Sequence, residues 1–463
     1  MNSFLKIKNI IEATGGEVIN EPRSLFTGVS IDSRTINKGE LFVALKGDNL
    51  DGHDFVKDAL TKGSGAMISR GWFEKNAHLL DKKTYVIVED PLNALQRLAA
   101  KIRDRFNGHV FAVAGSNGKT TTKELISSIL ATKWDVLKTV GNYNNHIGLP
   151  LCICRADAGK DVMLLEMGTN RPGDIDFLCR IARPDTAVIT NIGYEHIEGF
   201  GSIENVRKSE LEILPYIKEL VVNADDLFLM DGVYGRYDGK ITTFGIQTTS
   251  ADVTAGNIDF QEDYSGFYLN ASGSSIFIKS RLSGLFNVYN CLAAAAVALS
   301  AGLDLQRIKE GIETCKGVKL RFEIKRHKGI TFLNDVYNAN PSSMEASIGE
   351  MMRFFSSSRN ADGKYKRVIV ILGDMLELGD YSRTAHEKLG MLLSELPVDI
   401  FIGVGKEMVH ALSRFKKEGI HAENSAVAGE KITGMLRERD LVLVKGSRGM
   451  KMENIFTIVE RLV

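Results

Sequence analysis

Residues 110–123 read VFAVAGSNGKTTTK, and no other stretch restricts the fold and chemistry of this chain as much. The apolar residues 110–113 are typical of a buried parallel strand, and ELISSIL at 124–130 has the apolar spacing of a helix. A glycine turn between a strand and a helix directs backbone N–H groups and the helix dipole at phosphate oxygens. Lys119 can then reach the terminal phosphates, and the Thr120 hydroxyl can ligate Mg²⁺.

The loop departs from the usual Walker pattern G-x-x-x-x-G-K-[ST], because Val113 stands where the first glycine belongs. A chance Gly-Lys-Thr in a surface turn is the alternative, and the flanking strand and helix disfavour it. We therefore predict a site for ATP and Mg²⁺. The predicted phosphate loop consists of Gly115, Ser116, Asn117, Gly118, Lys119, Thr120 and Thr121.

Length and composition limit the classes of protein to which this chain can belong. A chain of 463 residues exceeds one hydrophobic core and predicts about three domains. Lys plus Arg and Asp plus Glu both number 58, so the zero formal net charge gives no reason to expect a nucleic-acid or membrane partner. The N-terminus has no hydrophobic signal region, and the small-apolar run near 292–299 is too short to span a bilayer. Five scattered cysteines indicate free buried thiols in a reducing cytoplasm.

Apolar runs alternate with helical stretches and divide the chain into three α/β units. Residues 1–83 predict a small N-terminal α/β domain of short strands and Gly or Asp turns. Residues 84–316 begin with a strand at 85–88 and predict a doubly wound, mostly parallel sheet that carries the phosphate loop. Its residues 240–280 read as hairpins and predict an antiparallel appendage. Residues 317–463 predict a Rossmann-like C-terminal domain, with ligands at the carboxyl ends of its strands.

Two polar residues follow predicted strands at the edge of the sheet that carries the phosphate loop. Glu166 ends the apolar run 162–165, and His196 comes shortly after the strand at 187–191. A carboxylate at this edge can ligate Mg²⁺ beside Thr120, directly or through a water. Taken alone, Glu166 is equally well explained as a helix-capping or loop carboxylate, and a lone loop histidine such as His196 is usually a solvated side chain. Their occurrence together beside one phosphate loop is the more specific pattern.

Two segments of the third unit each have two possible roles when only their residues are considered. Asp335 ends a strand, and with Tyr337 and Asn338 it could grip a ribose and stack a base, although DVYNANP also favours a turn. The loop KGSRG at 445–449 offers cations and backbone donors to a carboxylate or phosphate. A solvated charged turn explains that loop equally well.

Together these motifs resemble the ATP-dependent Mur ligases of peptidoglycan synthesis, and the resemblance covers essentially the whole chain. It rests on GSNGKTT at 115–121, Glu166, His196 and DVYNANP at 335–341. Residues 29–47 with DGHDF at 51–55 resemble the family's uridine-nucleotide domain, and GNYNNHIG at 141–148 resembles a substrate loop. The segments YNANPSSM at 337–344, LGDMLELG at 372–379 and KGSRGM at 445–450 resemble the branch that acts on UDP-N-acetylmuramoyl-tripeptide and D-alanyl-D-alanine.

The resemblance implies an ADP-forming amide ligase. ATP would phosphorylate the terminal carboxyl of the tripeptide, and the dipeptide amine would attack the acyl phosphate. It implies that Thr120, Glu166 and His196 hold magnesium, that Lys119 offsets phosphoryl charge, and that a monomer closes around small-molecule substrates. The implied nucleotide contacts are Asn290, Arg321, Asp335, Tyr337 and Asn338, and the implied contacts with the UDP-linked substrate are Ser33, Arg34, Asn142, Asn144 and Asn145.

The chain departs from the family's pattern at a functional position. Many members carry a carbamylated lysine within A-K-x-E-[IL], whereas residues 206–213 read VRKSELEI here. Counting from His196 puts Glu210 at the lysine position, and the alternative frame makes Lys208 the modified residue. Because a slip of two residues rotates a helix by about 200°, we predict that Glu210 supplies the carboxylate directly and is catalytic. Phe286, where relatives often have histidine, leaves the adenine contacts open.

Two alternative functions are compatible with a phosphate loop. Among amide ligases of the same superfamily, a folylpolyglutamate synthase-like enzyme is disfavoured by the N-terminal nucleotide unit, and the ligase that adds the third peptide residue is disfavoured by the C-terminal signatures. A P-loop switch or motor without ligase chemistry needs neither a uridine domain nor the His196 and Asp335 segments.

Overall fold

The computed structural model describes residues 3–20, 23–156, 159–261, 263–357 and 364–462. The N-terminal domain is built on a five-stranded sheet of order β1-β5-β4-β3-β2, in which β1 is antiparallel to β5 and the other pairs are parallel. Its strands are β1 Glu17–Ile19, β2 Val29–Ser30, β3 Leu41–Val43, β4 Gly65–Ser69 and β5 Thr84–Val88, and its helices are α1 Ile7–Thr14, α2 Val56–Lys62 and α3 Arg70–Asn76.

The strand at 84–88 belongs to this first sheet. It pairs in parallel with β4 from Gly65 opposite Thr84 to Ser69 opposite Val88, and it also pairs with β1. The expectation that this strand opens the second domain at residue 84 was therefore wrong. Periodicity reports that a short apolar run is buried, but it does not report which sheet the run joins. The chain leaves the sheet after β5 and enters α4, Pro91–Arg105.

The central domain contains a nine-stranded sheet of order β14-β13-β12-β11-β10-β9-β6-β8-β7. Its strands are β6 His109–Ala114, β7 Val136–Lys138, β8 Val162–Glu166, β9 Thr186–Ile189, β10 Glu219–Asn223, β11 Lys240–Gly245, β12 Val253–Phe260, β13 Ser265–Ala271 and β14 Ser274–Ser280. Its helices after α4 are α5 Lys119–Leu130, α6 Gly148–Ile153, α7 Asp174–Ala182, α8 Ile197–Phe200, α9 Ile203–Glu210, α10 Leu227–Val233, α11 Leu285–Ser300 and α12 Leu305–Thr314.

Seven neighbouring strands of this sheet, from β7 to β12, are parallel, and β13 is antiparallel to both of its neighbours, β12 and β14. The hairpin expected within 240–280 is present as β13 and β14. Its neighbour β12 and the parallel strand β11 join it to the main sheet, so the hairpin continues that sheet instead of forming a separate appendage. The predicted parallel α/β architecture of this domain is confirmed.

The register of the central strands brings three loops to one edge. Val113 of β6 lies opposite Glu166 of β8 and Val188 of β9, so the phosphate loop, Glu166 and the loop after β9 leave the sheet at the same level. Helix α5 is anchored behind the phosphate loop by apolar side chains that are fully buried. They are Leu125, Ile126, Ile129 and Leu130. Each such side chain contributes roughly 1.5–3 kcal/mol on burial, which holds the loop on a rigid base.

The C-terminal domain has a six-stranded sheet of order β15-β16-β20-β17-β18-β19, in which only β15 is antiparallel to its neighbour. The strands are β15 Glu323–His327, β16 Ile330–Asp335, β17 Arg367–Gly373, β18 Ile400–Val404, β19 Ile420–Ala422 and β20 Asp440–Lys445, and the helices are α13 Pro341–Ser357, α14 Ser382–Ser394, α15 Met408–Leu412, α16 Ser425–Thr433 and α17 Asn454–Leu462. Ile197, Phe200 and Val206 of the central domain pack into the core of this domain.

Two further features of the structure concern membrane-spanning helices and the cysteines. Among the described residues, the structure contains no helix that is long and apolar enough to cross a membrane. Cys152, Cys154, Cys179, Cys291 and Cys315 are all buried and free, as their spacing predicts.

Candidate active site

Residues from all three domains line one cleft of about 1160 Å³. Asp48 reaches it from the N-terminal domain, the phosphate loop forms its floor, and Lys445 and Arg448 reach it from the C-terminal domain. The sequence-predicted residues that line it are Ser116, Asn117, Gly118, Lys119, Thr120, Thr121, Asn142, Asn144, Asn145, Glu166, His196, Asn290, Arg321, Asp335, Tyr337 and Asn338. Gly115, Glu210, Ser33 and Arg34 are not part of its wall.

The phosphate loop depends on a glycine with a left-handed backbone. Gly118 has φ 83° immediately before α5 begins at Lys119. A Cβ atom at this position would lie 2.4 Å from Oδ1 of Asn290, which accepts a hydrogen bond from the Thr122 hydroxyl at 3.2 Å. Glycine fits this turn because it adopts a positive φ without strain and has no side chain to collide with Asn290.

We expect Gly118→Ala to lower ADP affinity at least tenfold. A left-handed L-residue costs roughly 1–2 kcal/mol, and the contact with Asn290 would additionally displace the loop. Gly235→Ala is the matched control, because Gly235 has φ 71° but no described atom lies within 4 Å of the point that its Cβ would occupy. Thermal unfolding reports the backbone strain that both variants share. Calorimetric titration should show weaker ADP binding only for Gly118→Ala. Equal ADP affinity in the two variants would contradict the prediction.

The Lys119 ammonium lies in a cage of oxygen atoms. Its Nζ donates to the carbonyl oxygens of Gly115 at 2.5 Å and Ser116 at 3.3 Å, and to Oε2 of Glu195 at 3.2 Å. Burial alone would lower the pKa of this ammonium, but the surrounding carboxylates raise it above its usual range. These carboxylates belong to Glu195, Glu210 and Glu166. Lys119 is therefore a charged group that is held ready at the floor of the cleft.

Glu210 lies beneath the phosphate loop. Its side chain is completely buried at the end of α9, and its Oε2 accepts a hydrogen bond from the Gly115 N–H at 2.7 Å. Burial raises the pKa of Glu210 to about 8, against the opposing field of Lys119. Lys208, the alternative candidate for this position, is exposed to solvent.

The raised pKa of Glu210 predicts a pH-dependent stability of the nucleotide-free protein. Between 4.5 and about 8 the folded protein binds more protons at this group than the unfolded chain. The stabilising contribution is therefore complete below 4.5 and is lost as the pH rises through 8. Urea unfolding across this range should show a smaller decline for Glu210→Gln than for the wild type. Parallel stability curves would contradict this assignment.

Glu166 connects the phosphate loop to a substrate-loop residue and to a buried lysine. Its Oε1 accepts hydrogen bonds from the Thr120 hydroxyl at 3.2 Å and from Nδ2 of Asn144 at 2.9 Å. Its Oε2 faces Nζ of Lys123 at 3.4 Å, and that lysine is fully buried. The predicted neighbours Thr120 and Glu166 are therefore in contact.

His196 is held between two domains. It precedes α8 with a left-handed φ of 48°, and its Nδ1 pairs with Oε2 of Glu377 in the LGDMLELG segment of the C-terminal domain. The Glu377 carbonyl also accepts the Glu198 N–H at 3.0 Å. The hydrogen bond from His196 lowers the pKa of Glu377. Within the described residues, no three acidic, histidine or cysteine side chains converge closely enough to hold a metal ion without other ligands.

The C-terminal domain contacts the phosphate loop directly. Asn117 accepts a hydrogen bond from Nδ2 of Asn340 at 2.9 Å and donates one to the Ser342 hydroxyl at 3.0 Å. Arg321 donates to the Thr120 hydroxyl at 3.1 Å, and its guanidinium lies 4.0 Å from the centre of the Tyr337 ring. The nucleotide floor and the C-terminal wall are thus already joined in this conformation.

Asp335 and Arg34 are engaged by other parts of the protein. Asp335 accepts from the Phe322 N–H at 3.1 Å, from the Ser347 hydroxyl at 2.6 Å and from Nζ of the buried Lys445 at 2.5 Å. Arg34 is an exposed side chain that forms two hydrogen bonds with Asp32, and this pairing lowers the pKa of Asp32 to about 2. A direct ribose contact by Asp335 and a uridine contact by Arg34 and its neighbour Ser33 stay predictions.

Several residues of the cleft were not predicted from sequence. They are Glu195, Asn340 and Ser342, together with Lys123, which contacts the cleft residue Glu166. Lys123 follows Lys119 by four residues, so helical spacing could have placed it on the same face of α5. Asn340 and Ser342 lie inside a segment that was already of interest. Glu195 gave no such signal beyond its position next to His196.

The fold and the cleft together define a class of protein: a P-loop nucleotide-binding enzyme whose site is assembled from three α/β domains. Family models match three consecutive parts of the chain, namely the Mur ligase family catalytic domain at 25–103, the Mur ligase middle domain at 113–298 and the Mur ligase glutamate ligase domain at 320–448. The chain belongs to the Mur ligase family, which confirms the family resemblance.

Individual relatives agree with this assignment. The chain is 34% identical over 460 residues, and 97% of each chain, to a UDP-N-acetylmuramoyl-tripeptide–D-alanyl-D-alanine ligase of Bacillus subtilis. It is 34% identical to the Escherichia coli protein of that name, with 92% of each covered. Among solved structures, MurF from Acinetobacter baumannii superposes with a TM-score of 0.85 at 29% identity and 99% coverage of both chains. MurF from Thermotoga maritima in complex with ADP superposes with a TM-score of 0.79 at 29% identity, covering 94% of this chain and 97% of that one.

Proposed function

We propose that this protein joins D-alanyl-D-alanine to UDP-N-acetylmuramoyl-tripeptide with hydrolysis of ATP to ADP and phosphate. The product is UDP-N-acetylmuramoyl-pentapeptide, a precursor of peptidoglycan. The observation that carries this proposal is a single cleft in which Lys119 and Glu166 of the central domain face Arg321 of the C-terminal domain. The full-length similarity to ligases of this name supports the same substrates.

The site residues rationalise activation of a carboxyl group. A carboxylate is a poor electrophile, so phosphorylation of the tripeptide carboxyl would precede attack by the dipeptide amine. We assign Lys119 and Arg321 to charge stabilisation of the transferring phosphoryl group, because both are cations at the phosphate loop. Asn290, beside Gly118, and Tyr337, under Arg321, would flank the nucleotide.

The donor set fits a magnesium ion that is bound together with nucleotide. Mg²⁺ prefers oxygen ligands and usually takes one or two carboxylates with phosphate oxygens and waters. The Thr120 hydroxyl and Glu166 supply such oxygens at the floor of the cleft. The buried Oε2 of Glu166 has no hydrogen-bond partner among the described residues, although Nζ of Lys123 lies 3.4 Å away, so this oxygen has free coordination capacity for a cation. Thr120 and Glu166 would hold the ion, which would neutralise phosphate charge, and His196 is the proposed further ligand from the loop after β9.

We assign to Glu210 the carboxylate that a carbamylated lysine supplies in many family members. Its contact with Gly115 and its burial support this assignment, and the exposure of Lys208 disfavours the alternative frame. A cation nearby favours the ionised form of a buried carboxyl, so occupation of the site would lower the pKa of Glu210.

The remaining proposals concern the setting in which the protein acts. One chain supplies residues to the cleft from all three domains, so we propose that a monomer is sufficient and that the C-terminal domain closes on ATP. The free buried cysteines support a reducing, cytoplasmic location. We also retain Asn142 and Asn145, beside Asn144, as contacts with the UDP-linked substrate.

Phosphate release in the presence of ATP and Mg²⁺ tests the proposed function. We expect release only when UDP-N-acetylmuramoyl-tripeptide and D-alanyl-D-alanine are both present, with the pentapeptide detected by mass spectrometry. A panel of tripeptides with lysine or diaminopimelate at the third position would then define the substrate. ATP hydrolysis that is indifferent to both substrates would instead indicate a switch protein.

A further inference from the structure

All the hydrogen-bond donors of Lys119 have partners within the phosphate loop and its neighbour Glu195. An ammonium group carries three protons, and three oxygen atoms surround this one. They belong to the carbonyls of Gly115 and Ser116 and the carboxylate of Glu195, at 2.5, 3.3 and 3.2 Å. A phosphate oxygen can therefore accept a hydrogen bond from Lys119 only after one of these contacts is weakened.

Glu195 is the contact that opposes nucleotide entry. The two carbonyls are fixed parts of the loop and are neutral, whereas Glu195 places a negative charge where a polyphosphate would approach. The residue is 7% exposed, and the side chain that it contacts besides Lys119 is the buried acid Glu210. If Lys119 turned toward a phosphate, Glu195 would become a buried carboxylate without a positive partner, which is strongly unfavourable.

Neighbouring charges do not relieve this problem. Glu166 adds an acidic group near Lys119, and the buried Lys123 already faces Glu166 at 3.4 Å and Glu124 at 3.3 Å. Arg321 donates to the Thr120 hydroxyl. A negatively charged ligand that arrives without a cation would therefore find these neighbouring cations already engaged and would face the Glu195 carboxylate.

We propose that Glu195 is a positioning residue that makes nucleotide binding depend on a divalent cation. In the free protein it holds Lys119 in the loop, and it opposes a polyphosphate that carries no metal. When the nucleotide brings a divalent cation, Glu195 gains a replacement for the positive charge of Lys119. The site thus selects the metal complex of the nucleotide over the free nucleotide. This inference rests on the proposed function, since it takes the cleft to be a nucleotide site.

Equilibrium binding of ADP tests this role without measuring turnover. Calorimetric titration of the full chain would give the Kd for ADP in EDTA and in excess Mg²⁺, and the ratio of the two constants reports the metal dependence. We expect a large ratio for the wild type and a ratio about tenfold smaller for Glu195→Gln, a change of about 1.4 kcal/mol. The gain should come from tighter binding in EDTA, which damage to the fold would not produce.

Glu198→Gln is the matched control, because it removes the same charge from an exposed side chain three residues away. It should keep the wild-type ratio. Glu195→Ala, with thermal unfolding to verify folding, should shift the ratio in the same direction as Glu195→Gln. A ratio within twofold of wild type for both Glu195 variants, or an equal shift in Glu198→Gln, would overturn the inference. A wild-type protein that binds no ADP even with Mg²⁺ would instead overturn the proposed function.

Discussion

Lys119→Met should lower the kcat of the ligase reaction about a thousandfold, the upper part of the range for removing one preorganised electrostatic group from an active site. Methionine retains much of the unbranched apolar stem but carries no charge. Lys119 is the lysine whose ammonium lies within the phosphate loop itself, against the carbonyls of Gly115 and Ser116. Without it, the charge on the transferring phosphoryl group loses its nearest compensation from the loop. Phosphate release with both acceptor substrates present measures this loss.

We expect Lys119→Met to lower the stability of the protein as well as its activity, so the two effects are measured separately. Lys119 neutralises a cluster of buried acidic groups, so its removal should destabilise the nucleotide-free protein as well. Thermal unfolding separates the two effects, and assays well below the unfolding temperature isolate the catalytic one. Lys208→Met is the control, because Lys208 is an exposed lysine on α9. Retention of more than a tenth of wild-type activity by folded Lys119→Met would refute its assigned role.

The part of the site that is local in sequence could be predicted from sequence. Residues 110–130 specify a strand, a glycine turn and a helix through short-range patterns, and β6 and α5 occur where these patterns place them. Glu166 and His196 could be placed at the same edge because parallel strands end together. The frame that puts Glu210, and not Lys208, at the lysine position came from the family's spacing after His196, and helical rotation, which is a local property, argued against the other frame.

Contacts between distant segments could not be predicted in this way. The strand at 84–88 has an apolar pattern that fits either sheet, and the structure pairs it with β1 and β4 of the first sheet. Lys445 gave no sequence signal for its pairing with Asp335, which lies 110 residues earlier. Glu195 likewise meets Lys119 only because β9 lies beside β6. Each of these contacts is set by tertiary packing, and charge or polarity alone does not identify the partner.

Glu210→Ala should reduce kcat at least a hundredfold while Lys208→Ala remains within twofold of wild type. The alanine variant removes the acceptor of the Gly115 N–H, and an unpaired buried donor costs about 1–3 kcal/mol. It also removes one of the acidic groups around Lys119, so both the shape and the charge of the phosphate loop change. Steady-state phosphate release gives kcat, and ADP titration shows how much of the loss lies in binding.

Two further substitutions at position 210 show whether the site needs a carboxylate or only a side chain of similar size. Glu210→Lys introduces the residue that many family members carbamylate, and its activity should rise with added bicarbonate if a carboxylate is what the site requires. Glu210→Gln retains size and a hydrogen-bond acceptor for Gly115 but cannot ionise, so it should be less impaired than the alanine variant and still well below the wild type. Normal activity of Glu210→Ala, or loss of activity in Lys208→Ala, would show that the other helical frame is correct. The buried position of Glu210 against the phosphate loop makes the first frame the physical expectation, because the exposed Lys208 side chain would have to cross the helix to reach the loop.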